Sequence, residues 1–322
     1  MINVMEVSQR SRISKNTRDD KPPKVSIGLP VYNGSIYIRS ALDSLLVQTF
    51  DEFELVISDN ASTDGTFEIC KEYAARDGRI ALHRFESNKG LLANFRQVFQ
   101  LSQNKYFAWA GDHDLWQPHW LESLVKVLDS EPTTVLAYPS VIGIGPNGEE
   151  LFRDTAVFET AGLNRQDRIR AACSKMVGAG NMVYGLFRAD ALRKTSVNLN
   201  LLMPDRLLLM ELALQGGYRA VREPLWKRRY SDAIPRRVGF SDEERETINE
   251  RRRRNLFEGK APWHSYLPTL TLGLGLVYRV SLRSGFRNIH LGPYMAYLFC
   301  RRRRQLIKAE SKALVKRLMV RT

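Results

Sequence analysis

Apolar and polar positions alternate with two distinct periods along the first half of the chain. "KVSIGLPVY" (24–32) and "FELVISDN" (53–60) are short β-rich runs that end in polar residues. Between them, "SIYIRSALDSLLVQT" (35–49) has apolar residues at 36, 38, 41, 42, 45 and 46, close to a helical repeat. Strand, helix and strand over this length predict a right-handed βαβ unit. The pattern recurs, with "DGTFEICKEYAARD" as helix, "IALHRFE" as strand, "LLANFRQVFQLS" as helix and "YFAWAG" as strand. "PHWLESLVKVLDSEP" predicts a helix with Pro118 in its first turn, and "TVLAYPSVIGI" a strand. The expectation is an α/β fold, a mostly parallel sheet flanked by helices.

The alternation weakens after residue 150. "RQDRIRAACSKM" (165–176) reads as helix, "GNMVYGLFR" (180–188) as strand, and "DRLLLMELALQGG" (205–217) as an amphipathic helix stopped by two glycines. "RAVREPLWKRRY" (219–230) reads as strand and loop, and 231–260 as a charged, flexible stretch. Ligands of open α/β sheets bind beyond the carboxyl ends of the strands. Three predicted strands end in polar clusters there: Tyr32-Asn33, Asp59-Asn60 and Asp112-His113-Asp114. If these strands are neighbours, the clusters share one rim.

Composition locates the charge. The net charge is +14, yet residues 251–322 hold 17 Lys and Arg against 2 Asp and Glu, while the first 250 hold 32 against 33. The basicity therefore belongs to a tail, which suits an anionic membrane surface or nucleic acid. No nucleic-acid-binding module is recognisable, and the tail's aromatics lie in apolar runs rather than between basic residues, so no nucleic-acid partner is expected. Three scattered cysteines suggest a reducing compartment without a disulfide framework. Residues 1–23 are polar and basic, unlike a signal peptide, and are expected to be a disordered lead-in.

Asp112 and Asp114 pose a chemical question, because two carboxylates one residue apart repel unless they share a positive charge. A hard divalent cation such as Mg²⁺ or Mn²⁺ is one partner, since it takes one or two carboxylates and leaves its other positions to phosphate and water. A plain turn at a strand end is the other reading.

The arrangement of motifs resembles the nucleotide-sugar domain of the family 2 glycosyltransferases. Pro-x-Tyr-Asn follows the first strand, Ser-Leu-x-x-Gln-Thr closes the first helix, and Asp-Asn-x-Ser-Thr-Asp-Gly follows the second strand. Asn-x-Gly comes next, with Asn94 downstream, then Asp-x-Asp before a helix with proline at its start. The resemblance covers about residues 24–230 and is strongest over 24–125. It implies the GT-A fold, a Mg²⁺ or Mn²⁺ ion and inverting transfer of a sugar from a nucleoside diphosphate. Position by position, it implies that Pro30 and Tyr32 line the base pocket and that Asp59 accepts a base N–H, favouring UDP- or dTDP-sugars. Asp112 then lies near ribose and metal, and Asp114 is the main metal ligand. Asn88 and Asn94 either touch the nucleotide or cap a helix or turn. His113, in the variable middle position, is counted with the nucleotide-sugar residues, although a partly exposed filler role is the plainer reading. Asn60 departs from the family, which often has a second Asp there.

The same resemblance implies a catalytic base just ahead of a long amphipathic helix, and Asp205 occupies that position. Read alone, Asp205 is a good cap for a helix starting at Arg206. Glu211 is the fallback, expected to face solvent or an arginine. Arg228 and Arg229 lie in a stretch that in the family returns to the site. The Gln-x-x-Arg-Trp motif of processive synthases is absent, which points to single additions.

The expected organisation is a lead-in (1–23), a catalytic domain (24–230, donor side 24–125 and acceptor side 126–230) and a basic helical extension (231–322). The uncharged run 261–278 carries prolines and glycines that argue against a spanning helix. Beside basic amphipathic helices it suits peripheral docking at the cytoplasmic face of a cell membrane, with a glycan or lipid-linked acceptor. Packing of these helices on the catalytic domain is the alternative. A non-catalytic nucleotide-sugar-binding protein is the second function class, and a dinucleotide-dependent oxidoreductase fails for want of Gly-x-Gly-x-x-Gly after the first strand.

Overall fold

Strands form where β-branched and apolar residues run together, and helices where they recur every three or four positions. In the computed structural model β1 (Val25–Val31), α1 (Ile38–Leu46), β2 (Phe53–Asp59), α2 (Thr66–Arg76), β3 (Ile80–Arg84), α3 (Leu91–Leu101) and β4 (Tyr106–Trp109) follow one another as the pattern predicts. The structure describes residues 22–154, 157–197, 204–230, 262–282 and 290–319, together with 247, 250 and 253. The lead-in to residue 21 and most of 231–260 lie outside the described residues.

Strands β3, β2, β1 and β4 are neighbours in that order and all parallel, so their carboxyl ends share one side. Every residue of β1 is buried, as a central strand covered on both faces requires. On one face Ile27, Leu29 and Val31 pack against Ile38, Leu42 and Leu45 of α1 and Trp120 and Leu124 of α4 (Trp120–Ser130). On the other, Val98 and Phe99 of α3 meet Phe107 and Trp109. Pro118 lies ahead of α4, whose N-cap is His119, rather than in its first turn. Its carbonyl instead accepts a 2.8 Å hydrogen bond from Thr49 N, joining the end of α1 to the start of α4.

The second half extends the sheet with β5 (Leu115–Trp116), β6 (Thr134–Ile144), β7 (Glu150–Asp154), β8 (Leu186–Arg188) and β9 (Gly217–Arg229). β8 sits antiparallel between β4 and β6, β9 runs parallel to β6, and β5 and β7 pair antiparallel with β9 and β6. Two expectations change here. Residues 180–188 are not one strand: a short helix α6 (Ala179–Met182) precedes β8. Residues 219–229 are not strand and loop but all part of β9, which accommodates Pro224 where its register with β6 breaks, between Val221 and Trp226. A residue without an N–H is tolerated at such a break.

Helices α5 (Arg165–Lys175), α7 (Ala189–Arg193) and α8 (Pro204–Leu212) cover this half. Beyond residue 261 come α9 (Pro268–Leu276), which continues as π-helical turns over Val277–Leu282, then α10 (Leu291–Arg302) and α11 (Arg304–Met319). Leu272, Leu276, Val280, Met295 and Phe299 join the core that holds Ile169 and Cys173 of α5 and Leu208 of α8. The tail helices therefore pack on the sheet domain. Among the described residues no helix is long and apolar enough to cross a membrane.

Two acids fix the tail. Glu310 of α11 accepts from Thr269 N (3.1 Å) and Thr269 Oγ1 (2.6 Å), satisfying the start of α9. Glu211 does not face solvent: it is buried, accepts from Ser196 N and Oγ, and pairs with Arg279 Nε at 3.4 Å. Removing one partner of a buried pair strands the other charge. Glu211→Ala is therefore expected to cost about 3 kcal/mol of stability. A urea titration checks it, and a midpoint equal to that of the parent chain would show that the pair does not anchor the tail.

Candidate active site

The loops after β1 and β2 are laced together at the carboxyl rim. Asn33 N donates to Ser62 Oγ (2.9 Å), Thr63 N to Asn33 Oδ1 (2.9 Å), Gly34 N to Thr66 Oγ1 (2.8 Å) and Ser35 N to Asp64 Oδ2 (3.0 Å). Asn33 and Ala61 hold positive φ angles of 51° and 61° to make these turns. Non-glycine residues in that region cluster at functional sites. Most of "DNASTDGT" thus builds the rim, and Asp59 is the part free to do something else.

Asp59 is fully buried at the end of β2. Its Oδ2 accepts from Ser62 N (3.1 Å) and pairs with Arg84 Nε (3.2 Å), while Oδ1 has no hydrogen-bond partner among the described residues. A buried unpaired acceptor is uncommon and points to a missing donor. Tyr32, at the end of β1, is 46% exposed, an aromatic face standing open at the same rim. Pro30 beneath it is buried in β1 opposite Ser58.

The asparagines serve the scaffold. Asn60 Nδ2 donates to Asn88 Oδ1 (2.6 Å) and Asn60 Oδ1 accepts from Lys89 N (2.8 Å), so an amide suits the position where an acid was expected. Asn88 Oδ1 also accepts from Gly90 N (2.8 Å), which makes it a turn residue. Asn94 does not cap α3. It is buried within that helix, where its Nδ2 donates to Val31 O (3.1 Å) and its Oδ1 is unpartnered among the described residues.

Asp112 and Asp114 differ in environment. Asp112 Oδ1 lies 2.7 Å from His113 Nδ1, and Oδ2 points at Gly34, where an added Cβ would stand only 2.6 Å away. Asp114 is buried; its Oδ2 accepts from Trp226 Nε1 (3.0 Å) and its Oδ1 from Arg229 N (2.8 Å). Burial pushes its carboxyl above the ordinary range, against the pull of His113, the Arg229 N–H, Arg228 and Trp226. His113 is about half exposed. Burial would lower its pKa, but the hydrogen bond with Asp112 and the charges of Asp114 and Asp112 outweigh that and raise it.

The second half of the chain adds an acid and an arginine of its own. Asp205 lies inside the first turn of α8, which starts at Pro204, so it is not the cap of a helix beginning at Arg206. A Cβ added at Gly180 would lie 3.9 Å from Asp205 Oδ2 and 3.8 Å from Arg228 Nη1, so the two groups flank one glycine. Arg228 is held by Asn181 Oδ1 (2.7 Å) and Gly180 O (3.2 Å). The Tyr184 phenol is pushed up to about 12, by burial first, then by Asp114, Asp112 and Asp205 against the pull of Arg228. The three carboxylates and Arg228 thus all act electrostatically on one buried phenol, and Arg228 lies 5.9 Å from its ring. Arg229 is spent on structure, donating from Nε to His113 O and from Nη1 to Gly145 O and Pro146 O, and stacking over Tyr37.

Arg84, Trp226, Tyr184 and Asn181 were not singled out from the sequence. Each acts through a contact far along the chain, and only the tryptophan, rare in "PLWKRR", offered a local sign.

Comparison with known proteins bears on this rim. The family model described as glycosyl transferase family 2 matches residues 26–192. EpsE of Bacillus subtilis, which carries a provisional glycosyltransferase name, is 36% identical over 108 residues, 33% of this chain and 39% of that protein. TuaG of the same organism, provisionally named a teichuronic acid biosynthesis glycosyltransferase, is 32% identical over 106 residues, 33% of this chain and 42% of that one. The chain thus spans less than half the length of these relatives. The structure of S. aureus TarS 1–349 superposes with a TM-score of 0.58 at 16% identity, covering 87% of this chain and 71% of that one. Its complex with UDP-GlcNAc gives 0.52 at 18%, covering 90% and 82%. At such identities the likeness establishes the fold, which is GT-A, as the sequence implied.

The rim lacing has a consequence in acid. Burial alone would raise the Asp64 carboxyl, but hydrogen bonds from Thr66 and Ser35 outweigh it and hold it at about 2. A carboxyl depressed on folding contributes stability above its unfolded value, lost as pH falls through the folded one. Asp64→Asn is therefore expected to remove about 1 kcal/mol at neutral pH, after allowance for solvent screening, and none near pH 2. Thermal midpoints of both proteins between pH 7 and pH 2 check it; a constant gap across that range would refute the titration.

Proposed function

The chain belongs to glycosyl transferase family 2, and on that premise we propose that it is an inverting, metal-dependent, non-processive glycosyltransferase. Its donor is a UDP- or dTDP-sugar and its acceptor a hydroxyl of a glycan or lipid-linked glycan. The observation that carries this reading is the set of carboxylate oxygens left uncommitted among the described residues: Asp59 Oδ1 and Asp112 Oδ2 on the carboxyl rim that also bears Tyr32, and Asp205, whose Oδ2 flanks Gly180 together with Arg228. A role in cell-envelope glycan synthesis is supported by the teichuronic acid name given to TuaG. The tail's positive charge supports a peripheral position at the cytoplasmic face of the cell membrane, where such acceptors present their hydroxyls.

Each residue has a distinct task. The Tyr32 ring stacks on a pyrimidine, above Pro30. Asp59 Oδ1, unpaired among the described residues, accepts the N–H that uracil and thymine carry at N3. Asn88 and Asn94 hold the loop and strand end from which these contacts are made, and Asn94 Oδ1 remains available to the nucleotide. Asp112 and Asp114 suit a Mg²⁺ or Mn²⁺ ion: Asp112 Oδ2 accepts no hydrogen bond among the described residues, and each oxygen of Asp114 retains one lone pair. Two carboxylates are the usual protein share for Mg²⁺. Such an ion, when bound, neutralises charge growing on the departing diphosphate. His113, hydrogen-bonded to Asp112, orients that carboxylate, and Arg228 adds a fixed positive charge that acts on Asp114.

Asp205 is the base. Its carboxylate takes the proton of the acceptor hydroxyl as the oxygen attacks the anomeric carbon opposite the diphosphate, and the in-line geometry inverts the configuration. Asp205 accepts no hydrogen bond among the described residues, which leaves both its oxygens for the acceptor.

Four measurements test this. Thermal stability against UDP, dTDP, GDP and CDP, with and without Mn²⁺, should show a metal-dependent shift for UDP or dTDP, about 2.7 kcal/mol at a hundred times Kd. No shift with any nucleotide would favour a non-catalytic member. Asp114→Ala should abolish the metal-dependent part of that shift. Asp205→Asn should leave nucleotide binding intact and lower kcat by about 10²–10⁴-fold; unchanged turnover would remove it as base. Gly34→Ala, by crowding Asp112, should weaken Mn²⁺-dependent binding on the order of tenfold, and full retention would show that Asp112 is free to move.

A further inference from the structure

Helices α9 and α10 form an antiparallel hairpin whose inward side is already accounted for. A Cβ at Gly273 would lie 2.8 Å from Cys300 Sγ and one at Gly292 2.9 Å from Leu276 O, so the two helices cross in close contact. Leu272, Leu276 and Val280 on one, and Met295 and Phe299 on the other, enter the same core. Residues two apart on a helix point in nearly opposite directions, about 200° around the axis. The outward stripe is therefore Leu270, Leu274 and Tyr278 on the first helix and its π-helical continuation, and Pro293, Tyr297 and Arg301 on the second.

That stripe is apolar where solvent would favour polar residues. Leu270 is 40% exposed, Leu274 61%, Tyr278 60% and Tyr297 57%, and these are four of the ten strongly exposed large apolar side chains among the described residues. Exposed apolar faces of this kind mark interaction sites. The charge beside it has one sign. Residues 262–282 contain no acid, and Glu310, the only acid in 290–322, is turned onto Thr269. Arg301, Arg302, Arg304, Lys308 and Lys312 are exposed. Arg301 lies over the Tyr297 ring at 5.9 Å, with Nη1 3.4 Å from its hydroxyl, so apolar and basic groups meet at one edge. Tyrosines bordered by arginines suit the headgroup level of a bilayer, with rings toward the acyl chains and cations among phosphates. A protein partner would require an acidic complement as well as an apolar groove, whereas an anionic bilayer supplies both features along a plane.

We infer that the outward face of the α9–α10 hairpin docks on the headgroup region of an anionic membrane, through Leu270, Leu274, Tyr278 and Tyr297, with Arg301, Arg304, Lys308 and Lys312 contacting lipid phosphates. The inference gives the peripheral position proposed above its contact residues. It rests on that reading only for its purpose, because lipid binding can be measured without sugar transfer. The hairpin lies on α8, the helix of Asp205, through Leu208 and the Glu211–Arg279 pair, so docking would set the distance of the base from the bilayer.

The test uses the full chain and sedimentation with vesicles of phosphatidylglycerol and phosphatidylethanolamine, against vesicles of phosphatidylcholine alone. The parent chain should bind the anionic vesicles and lose binding in high salt. The triple variant Leu274→Ser/Tyr278→Ser/Tyr297→Ser should bind on the order of tenfold more weakly, with its thermal midpoint and its nucleotide-induced shift unchanged. Lys308→Gln/Lys312→Gln should lose about five-fold per charge, and Leu274→Trp should bind more tightly than the parent. A triple variant that binds like the parent, or a parent that ignores anionic vesicles, would overturn the inference. Self-association in light scattering that the triple variant abolishes, without vesicle binding, would assign the face to a second copy of the chain instead. Vesicle binding without any nucleotide-induced shift would leave the docking face standing and remove the transferase reading alone.

Discussion

One buried carboxylate joins the two halves of this protein. Asp114 stands just before β5, in the loop that follows the first half's last parallel strand, yet both of its hydrogen bonds come from β9, more than a hundred residues later. A carboxylate hidden from water is costly unless its oxygens are satisfied. The donors that satisfy it, the Trp226 indole and the Arg229 amide, are available only once β9 lies along β6 in its observed register. The donor-side rim and the acceptor-side strand are thus assembled around the same atom pair. The acid that the sequence marks as a metal ligand is also the joint of the fold, which is why its burial and its chemistry cannot be separated.

Helix α8 shows a complementary division of labour. Asp205 at its amino end is left without a hydrogen bond among the described residues, while Glu211 near its other end is fully engaged with Ser196 and Arg279. Between them the helix is buried on nearly every side, Leu207 to Leu212 all lying in the core. The base role proposed for Asp205 would require such a rigid mount and a free oxygen. The sequence "PDRLLLMELAL" supplies the mount with apolar residues all round and leaves one acid uncommitted.

What the sequence revealed follows the range of the interactions involved. β1 to β4 and their helices were legible because alternating hydrophobic periods and turn residues are local signals. The rim acids were legible because they lie at the end of a strand or within a few residues after one. Residues 180–188 misled because an apolar run of that length is compatible with either helix or strand. β9 misled because Pro224 looks like a terminator until the bulge opposite β6 is seen. The family motif gave Asp59 its part, but could not show that Ser62, Asp64 and Thr66 are mostly there to tie two loops. Arg84 and Tyr184 were invisible for the same reason, and Trp226 showed only as a rare residue: their partners are distant in the chain, and no spacing announces them. In the tail, charge and apolarity were plain, whereas the choice between packing inward and facing outward turned out to be settled residue by residue along the same helices.

The sheet's borders carry one more consequence. Among the described residues its free edges are β3, β5 and β7, of five, two and five residues, and β3 ends in the solvent-facing pair His83-Arg84. Short borders that carry charged side chains at β3 and β7 give a neighbouring chain little to pair with. If the chain docks on a membrane as proposed, its copies crowd there, and strand-to-strand adhesion would turn such a monolayer into an aggregate. Borders this brief let many molecules share one patch of surface and stay separate.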